Sequence, residues 1–355
     1  MMIALIRDGV KLPAIVLVCA LSLGVFAGCG GSTSERGTVF YLAPGLMDEF
    51  QTESIRAIEA SIGLLGYTVT TLDGQNRSDV QLNQLDSAIL LDPAAIVIAA
   101  VDFDAVITGI EKARAAGIPV IAYDRQISST VLDLTSIAGT VEIGRLAADE
   151  VARLLEERHG SVRGKVLQIL GDPGDNYTLD IREGFDERMA LHADVDVTTR
   201  AALQWEASNA GDIVEDHLLV DPAVDVIFSH AAHLSATVTA VLEAVGREPG
   251  DIMLISSNGA PIGLDNIRAG WQQVEVEQPL YAQAYGIAMF LDKLVRDEAL
   301  EPGTYEVLGR QAELSEEPWG MTLRVAGEAV RPDNVNEPRF WGNLNPPSEP
   351  VAVVP

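Results

Sequence analysis

Cysteine is almost absent from this 355-residue chain: Cys19 and Cys29 are the only two, and none follows residue 29. The long body therefore carries no internal disulfide and no cysteine metal site. Basic residues are scarce as well, 24 against 52 acidic ones, for a formal net charge of −28. A surface that acidic repels phosphate backbones, which argues against nucleic acid as a partner, and it disfavours non-specific adhesion to an anionic membrane. The strongly apolar stretch at residues 13–26 (PAIVLVCALSLGVF) is shorter than the roughly 20 residues a spanning helix needs. There is no Gly-x-Ser-x-Gly elbow and no body cysteine for nucleophilic catalysis. Carboxylate pairs are so common in an acidic chain that they discriminate nothing.

What is present begins at the first residues. Arg7 and Lys11 precede the apolar stretch, and the small residues Ala27 and Gly28 follow it, directly before Cys29. A positive segment, an apolar segment and small residues at a cut describe a secretory signal. The cysteine at that point resembles the lipobox of bacterial lipoproteins, with Phe26 standing where leucine is commoner. On that resemblance residues 1–28 are a signal peptide, Cys29 is the lipidated first residue, and residues 29–36 are a flexible tether. The plainer readings are an uncleaved anchor or an ordinary signal with an incidental cysteine. Cys19, inside the apolar run, is read as bilayer packing.

Removing 28 of 355 residues leaves 327, which suits two domains of about 150 residues. With 48% hydrophobic and 21% charged residues the body is globular rather than disordered. From Gly37 the chain alternates short β-rich runs with amphipathic stretches. Strands are expected at 38–42, 67–72, 95–100 and 118–123, with helices at 47–65, 80–91 and 105–116 between them. Four strands separated by helices argue βαβ units and a parallel sheet. The rhythm then restarts, with strands at 165–170, 195–199, 224–228 and 252–256 and helices at 141–157, 176–191, 210–219, 234–245 and 262–269. The expected fold class is α/β, with two doubly wound parallel-sheet lobes. A further helix is expected at 279–296, short late strands at 305–310 and 322–325, and a proline-rich strap and tail over 331–355.

Ligands of open parallel sheets bind beyond the carboxyl ends of the strands. The loops there hold Asp48, Phe50 and Gln51; Asp124 and Arg125; Asp175 and Asn176; Trp205; His230; Asn258; and Gln278. Carboxylates, amides, a guanidinium and aromatic rings suit a polyhydroxyl ligand, the polar groups meeting its hydroxyls and a ring covering its C–H face. Each has a plainer reading. Asp124–Arg125 reads also as a surface ion pair, Trp205 as rim packing, and Gly171–Tyr177 as a turn capping a helix. That loop carries Asp172 and Asp175 and no P-loop lysine, so it is a weak phosphate cradle. His230 and His233 lack a clustered third ligand, so no metal and no other cofactor is expected.

The segment Gly117-Ile118-Pro119-Val120-Ile121-Ala122-Tyr123-Asp124-Arg125-Gln126 resembles the ribose-binding branch of type I periplasmic sugar-binding proteins. Leu65-Gly66-Tyr67, Glu183-Gly184-Phe185 and Asn258-Gly259 fall at corresponding points. Gly171–Asn176 and Trp205-Glu206 are similar to xylose-binding relatives, and Asp333-Asn334-Val335 with Phe340-Trp341-Gly342-Asn343 is similar to the ending of many such proteins. The resemblance covers about Gly37 to Asn343. It implies that Asp48 supplies a polar contact, Phe50 and Trp205 stack on a ring, Asp124 and Arg125 clamp hydroxyls, and Asp175 and Asn176 form a polar loop. It places Gln278 near a hinge crossing and Asn258 where aspartate is usual. Two departures are Ala231-Ala232 in place of Asn-Asp, and Ile181 where an arginine is usual, with Arg182 displaced by one.

The resemblance further implies a hinge between a first lobe of 37–137 plus 279–308 and a second of 138–278 plus 309–330. It implies a monomeric, non-enzymatic, extracytoplasmic lipoprotein that captures a monosaccharide or polyol for the permease subunits of an ABC importer. A sensor presenting ligand to a membrane receptor and a secreted hydrolase stay open as alternatives. A cytoplasmic repressor of this fold would need a basic head where residues 1–36 offer a signal.

Overall fold

The computed structural model describes residues 36–46 and 49–347; the signal, Cys29, Asp48 and the last eight residues lie outside the described residues. The chain opens with β1 (Thr38–Ala43), α1 (Glu49–Gly63), β2 (Thr68–Asp73), α2 (Ser78–Leu90), β3 (Ala95–Ile98), α3 (Ile107–Ala115), β4 (Val120–Tyr123) and β5 (Leu132–Ala138). It then passes through α4 (Thr140–His159), β6 (Gly164–Leu170), α5 (Asn176–Met189), β7 (Val195–Ala201), α6 (Ala207–Val220), β8 (Val226–Ser229), α7 (Ala232–Ala244), β9 (Met253–Asn258), α8 (Pro261–Arg268) and β10 (Val274–Glu277). It ends with α9 (Leu280–Val295), β11 (Gly303–Val307), β12 (Arg310–Glu317), β13 (Gly320–Val325) and β14 (Glu328–Val330).

Two sheets result, ordered β11-β12-β13-β5-β4-β3-β1-β2 and β14-β10-β9-β8-β6-β7. The pairings from β5 to β2 and from β10 to β7 are parallel. Strands such as Ala95–Ile98 and Val226–Ser229 are buried along their whole length, because helices cover both faces of each sheet. In the first lobe α1 and α9 pack on one face and α2 and α3 on the other. In the second, α4 and α5 oppose α6 and α7. Gly144 and Gly184 let α4 and α5 touch backbone to backbone: a Cβ at Gly184 would meet the Val141 carbonyl oxygen at 1.9 Å. That contact seats the middle of α5 against the amino end of α4.

The chain crosses between the lobes three times, at Ala138–Thr140, Glu277–Leu280 and Val325–Glu328. The first and third crossings are tied together where Gly139 N–H donates to the Val325 carbonyl at 3.1 Å. The expectation that residues 309–330 lie in the second lobe is corrected: β12 and β13 belong to the first sheet, and only β14 reaches the second. The cause is α9, which brings the chain back to the first lobe, so that β13 finds the open edge of β5 and pairs with it in parallel. The strand expected at 305–310 is broken by a hairpin turn at Leu308 (φ 52°) and Gly309 (φ 73°), where both residues take the left-handed conformation that tight hairpins favour.

After β14 the chain runs as a strap. Arg331 pairs with Glu150 of α4, Phe340 joins Leu264 and Ile267 of α8, and Trp341 enters the core of the first lobe. The strap is therefore a further physical link between the lobes.

Candidate binding site at the hinge

β4 ends in Tyr123, whose hydroxyl donates to Ser54 Oγ at 3.0 Å inside the first lobe. The next residue, Asp124, turns to φ 64° and presents its half-buried carboxylate where β4 stops. Gln278, in the second crossing, donates from Nε2 to Asp124 Oδ1 at 2.5 Å. Burial pushes the Asp124 carboxyl up to about 6, with the Arg125 guanidinium and the amides of Gln283 and Gln278 pulling it back down. Arg125, also half-buried, donates from Nη1 to the Ala100 carbonyl at 3.0 Å. That bond holds a donor-rich head beside an acceptor-only one.

The second lobe carries aromatic and polar groups at its own strand ends. Asp175 caps α5, its carboxylate accepting from Tyr177 N–H at 3.0 Å. Its charge raises the Asp124 pKa, and that of Asp124 raises the Tyr177 pKa, so the three feel one another across the crossing. Tyr177 packs 6.2 Å from Trp205, centroid to centroid, and Trp205 lies 6.4 Å from His233. Trp205 is held in place three ways. Gln204 and Trp205 take φ near 57° and 59°, Gln204 N–H donates to Asp172 Oδ2 at 2.6 Å, and the ring covers Gly171 so closely that a Cβ there would lie 2.0 Å from Cη2.

Asp175 and Asn176 are exposed at the start of α5, and the capping bond shows Asp175 doing the plainer task of ending a helix. Phe50 is half-buried, its ring 5.6 Å from that of Trp341 and nearly perpendicular to it. Gln51 is buried on α1. His230 was expected in contact with ligand, but its side chain lies in the second-lobe core at 0% exposure. Gln168 Oε1 accepts from Thr199, which leaves its Nε2 to donate to His230 Nε2 at 3.2 Å. The imidazole proton then sits on Nδ1, which has no hydrogen-bond partner. Burial, aided by Arg182, pushes this histidine down to about 3, so it is neutral. His233 instead turns its Nε2 to the Trp205 carbonyl at 2.9 Å. Among the described residues no cluster of three His, Cys, Asp or Glu side chains is placed to hold a metal.

Asn258 (φ 99°) contributes backbone: its carbonyl accepts from Trp341 Nε1 at 2.8 Å and from Gln278 N–H at 3.1 Å. Beneath it, Glu277 is fully enclosed. Its carboxylate accepts from Trp341 N–H at 2.9 Å and forms an ion pair with Arg310 of β12, which is buried as well. Glu275 accepts from Gly259 N–H at 2.7 Å and from Gln272 Nε2 at 2.7 Å, and burial pushes it up to about 8. Sequence reasoning named Tyr177 only as the end of a loop and Trp341 only within a terminal motif, and it passed over Gln283 and the Glu277–Arg310 pair. One signal was available for Gln283, a lone carboxamide in the otherwise apolar, aromatic or small run Leu280–Leu291.

Two doubly wound lobes joined by three crossings, with polar and aromatic side chains at the strand ends, suit a two-lobed binding protein. Residues 39–299 match the family model described as periplasmic binding protein domain, and the chain belongs to that family. It is 23% identical over 288 residues to a D-apiose import binding protein of Actinobacillus succinogenes, covering 81% of this chain and 88% of that one. It is likewise 23% identical to the ribose import binding protein of Escherichia coli, over 82% and 94% of the two chains. Among solved structures, a carbohydrate transporter solute-binding protein of Agrobacterium radiobacter in complex with D-arabinose superposes with a TM-score of 0.70, at 18% identity, over 89% of this chain and all of that one. Among the described residues no helix is long and apolar enough to cross a membrane.

Proposed function

We propose that this chain is the extracytoplasmic solute-binding component of an ABC importer, held at a bacterial membrane by lipid on Cys29. It captures an uncharged sugar or sugar-like polyol between its lobes. The observation that supports the reading is the Gln278–Asp124 hydrogen bond in the interlobe crossing, with Tyr177 near enough to feel the Asp124 charge and Trp205 packed on Tyr177. Ionised Asp124 accepts hydroxyl protons and Arg125 only donates, so together they fix a diol by charge-assisted bonds. Trp205 and Tyr177 supply the apolar face on which C–H groups of a ring lie. The names of relatives that import ribose and D-apiose support the same ligand class.

A ligand touching both lobes favours the closed arrangement by its differential affinity for it, and hinge closure is the motion such folds use. The closed form is then what permease subunits recognise, and no covalent step is required. Calorimetric titration of the purified protein with pentoses, hexoses and polyols tests the reading. Saturable binding of one of them is expected; failure of all removes the sugar assignment. A parallel assay on chromogenic glycosides is expected to show no turnover, and turnover would replace capture by hydrolysis.

A further inference from the structure

Every residue from Leu280 to Leu291 of α9 is buried, and Gln283 is the one carboxamide among them. It is 0% exposed, and neither Oε1 nor Nε2 has a hydrogen-bond partner. Its backbone is fully engaged: N–H donates to the Pro279 carbonyl at 2.9 Å, and the carbonyl accepts from Ser136 Oγ at 2.8 Å. Asp124 N–H donates to the carbonyl of that same Ser136 at 2.9 Å. One residue of β5 therefore bridges Gln283 and Asp124, and Gln283 lies five positions along the chain from the Gln278 that also binds Asp124. The Gln283 amide approaches the Asp124 carboxylate closely enough to draw its pKa down, without completing a hydrogen bond of normal geometry.

A buried amide left unpaired destabilises a fold by about 1–3 kcal/mol for each unmet group, whereas an apolar side chain of similar shape does not. Helix α9 is otherwise apolar, so a leucine at 283 would serve the fold better. Such a polar group beside the hydroxyl clamp has a use when its partner arrives with the ligand.

We propose that Gln283 is a specificity-determining residue that reads a pair of adjacent hydroxyls on the bound polyol. The inference rests on the binding role given under Proposed function and deepens it. Asp124 only accepts and Arg125 only donates, whereas a carboxamide does both from neighbouring atoms. One hydroxyl donates to Oε1 while the next accepts from Nε2, which selects a vicinal diol over a deoxy analogue. Gln278, already committed to Asp124, is the positioning partner.

The test uses the full-length chain in mild detergent, as wild type, Gln283→Leu and Gln283→Met, the unbranched variant guarding against a misfit of the branched one. Each is melted without sugar and titrated calorimetrically with D-ribose, D-arabinose, D-xylose, xylitol and myo-inositol, and with deoxy forms of whichever binds tightest. The expected result is an unchanged or higher melting temperature together with affinity lowered about tenfold or more. Loss of one particular hydroxyl should weaken the wild type and leave the variants unaffected. Unchanged affinity in both variants overturns the inference. So does a melting temperature that falls with the affinity, since support of the fold then accounts for the residue. If the wild type binds no member of the panel, the binding role itself falls, and the inference with it.

Discussion

Gln278 Nε2 donates to Asp124 Oδ1 at 2.5 Å, so a residue of the interlobe crossing grips the carboxylate that stands at the end of β4. Asp124 is held up at about 6 mainly by burial. The sign of its pH effect follows. Between about pH 4 and pH 6 the folded protein keeps a proton that the unfolded chain has released, so this group favours folding less as pH rises through that window. Ligand hydroxyls donate to the ionised form, so affinity moves the other way. Calorimetric titration should give binding about tenfold weaker at about pH 5 than above pH 7. Asp124→Asn should bind weakly at both and lose the pH dependence. A steeper decline in the variant than in the wild type would remove Asp124 from the site.

Arg125 is anchored by the Ala100 carbonyl and is the cationic member of the proposed clamp. Arg125→Ala should weaken sugar binding by about tenfold or more, since it leaves acceptors in the cleft unpaired. The melting temperature without sugar should move little, because the side chain is partly exposed. Titration of the variant checks this, and unchanged affinity excludes the residue.

Gly171 offers a way to move Trp205 without mutating it. In Gly171→Ala the new methyl stands 2.0 Å from the ring, so the indole must leave its place over the loop. Overpacking of this kind destabilises by about 1–3 kcal/mol. The tryptophan emission should shift and sugar affinity should fall. A variant with shifted emission and native affinity would show that Trp205 takes no part in binding.

Glu277 and Arg310 are paired inside the hinge, one from the second sheet and one from the first. Arg310→Met should destabilise the protein by about 3–5 kcal/mol by leaving a carboxylate buried without its cation. Replacing both by apolar residues of similar volume should restore much of that loss. Urea unfolding of the single and double variants measures the coupling directly.

Cys29→Ala should release the protein from the membrane fraction into the aqueous one, with sugar binding intact. Fractionation followed by titration of the released protein reads both effects. Retention in the membrane would assign the anchor to the apolar segment before residue 29.

Much of the fold was legible because its signals are local. Alternation of β-rich runs with helical spacing marks the βα units, and the positions where strands stop name the loops that carry Asp124, Arg125 and Trp205. β5 escaped because Asp133, Thr135 and Ser136 break its apolar pattern. In the structure Asp133 is tied to Arg114 and to the Val120 N–H, and Thr135 and Ser136 are buried within the sheet. His230 sits at the correct strand end, yet nothing local indicates that its ring turns inward toward Gln168. Arg310 reads as the last residue of a strand, and its partner lies 33 positions away in the other sheet.

The amino-acid order alone determined the α/β class, the acidic composition and the loops at the strand ends, because each is read from the residues themselves or from neighbours close in the chain. The tertiary structure decided which sheet β12 and β13 join, that Gln278 meets Asp124, and that Gln283 is buried beside them with neither amide atom in a hydrogen bond of normal geometry. The physical reason is that the chain crosses between the lobes three times, so every contact at the hinge joins segments whose meeting no local pattern encodes.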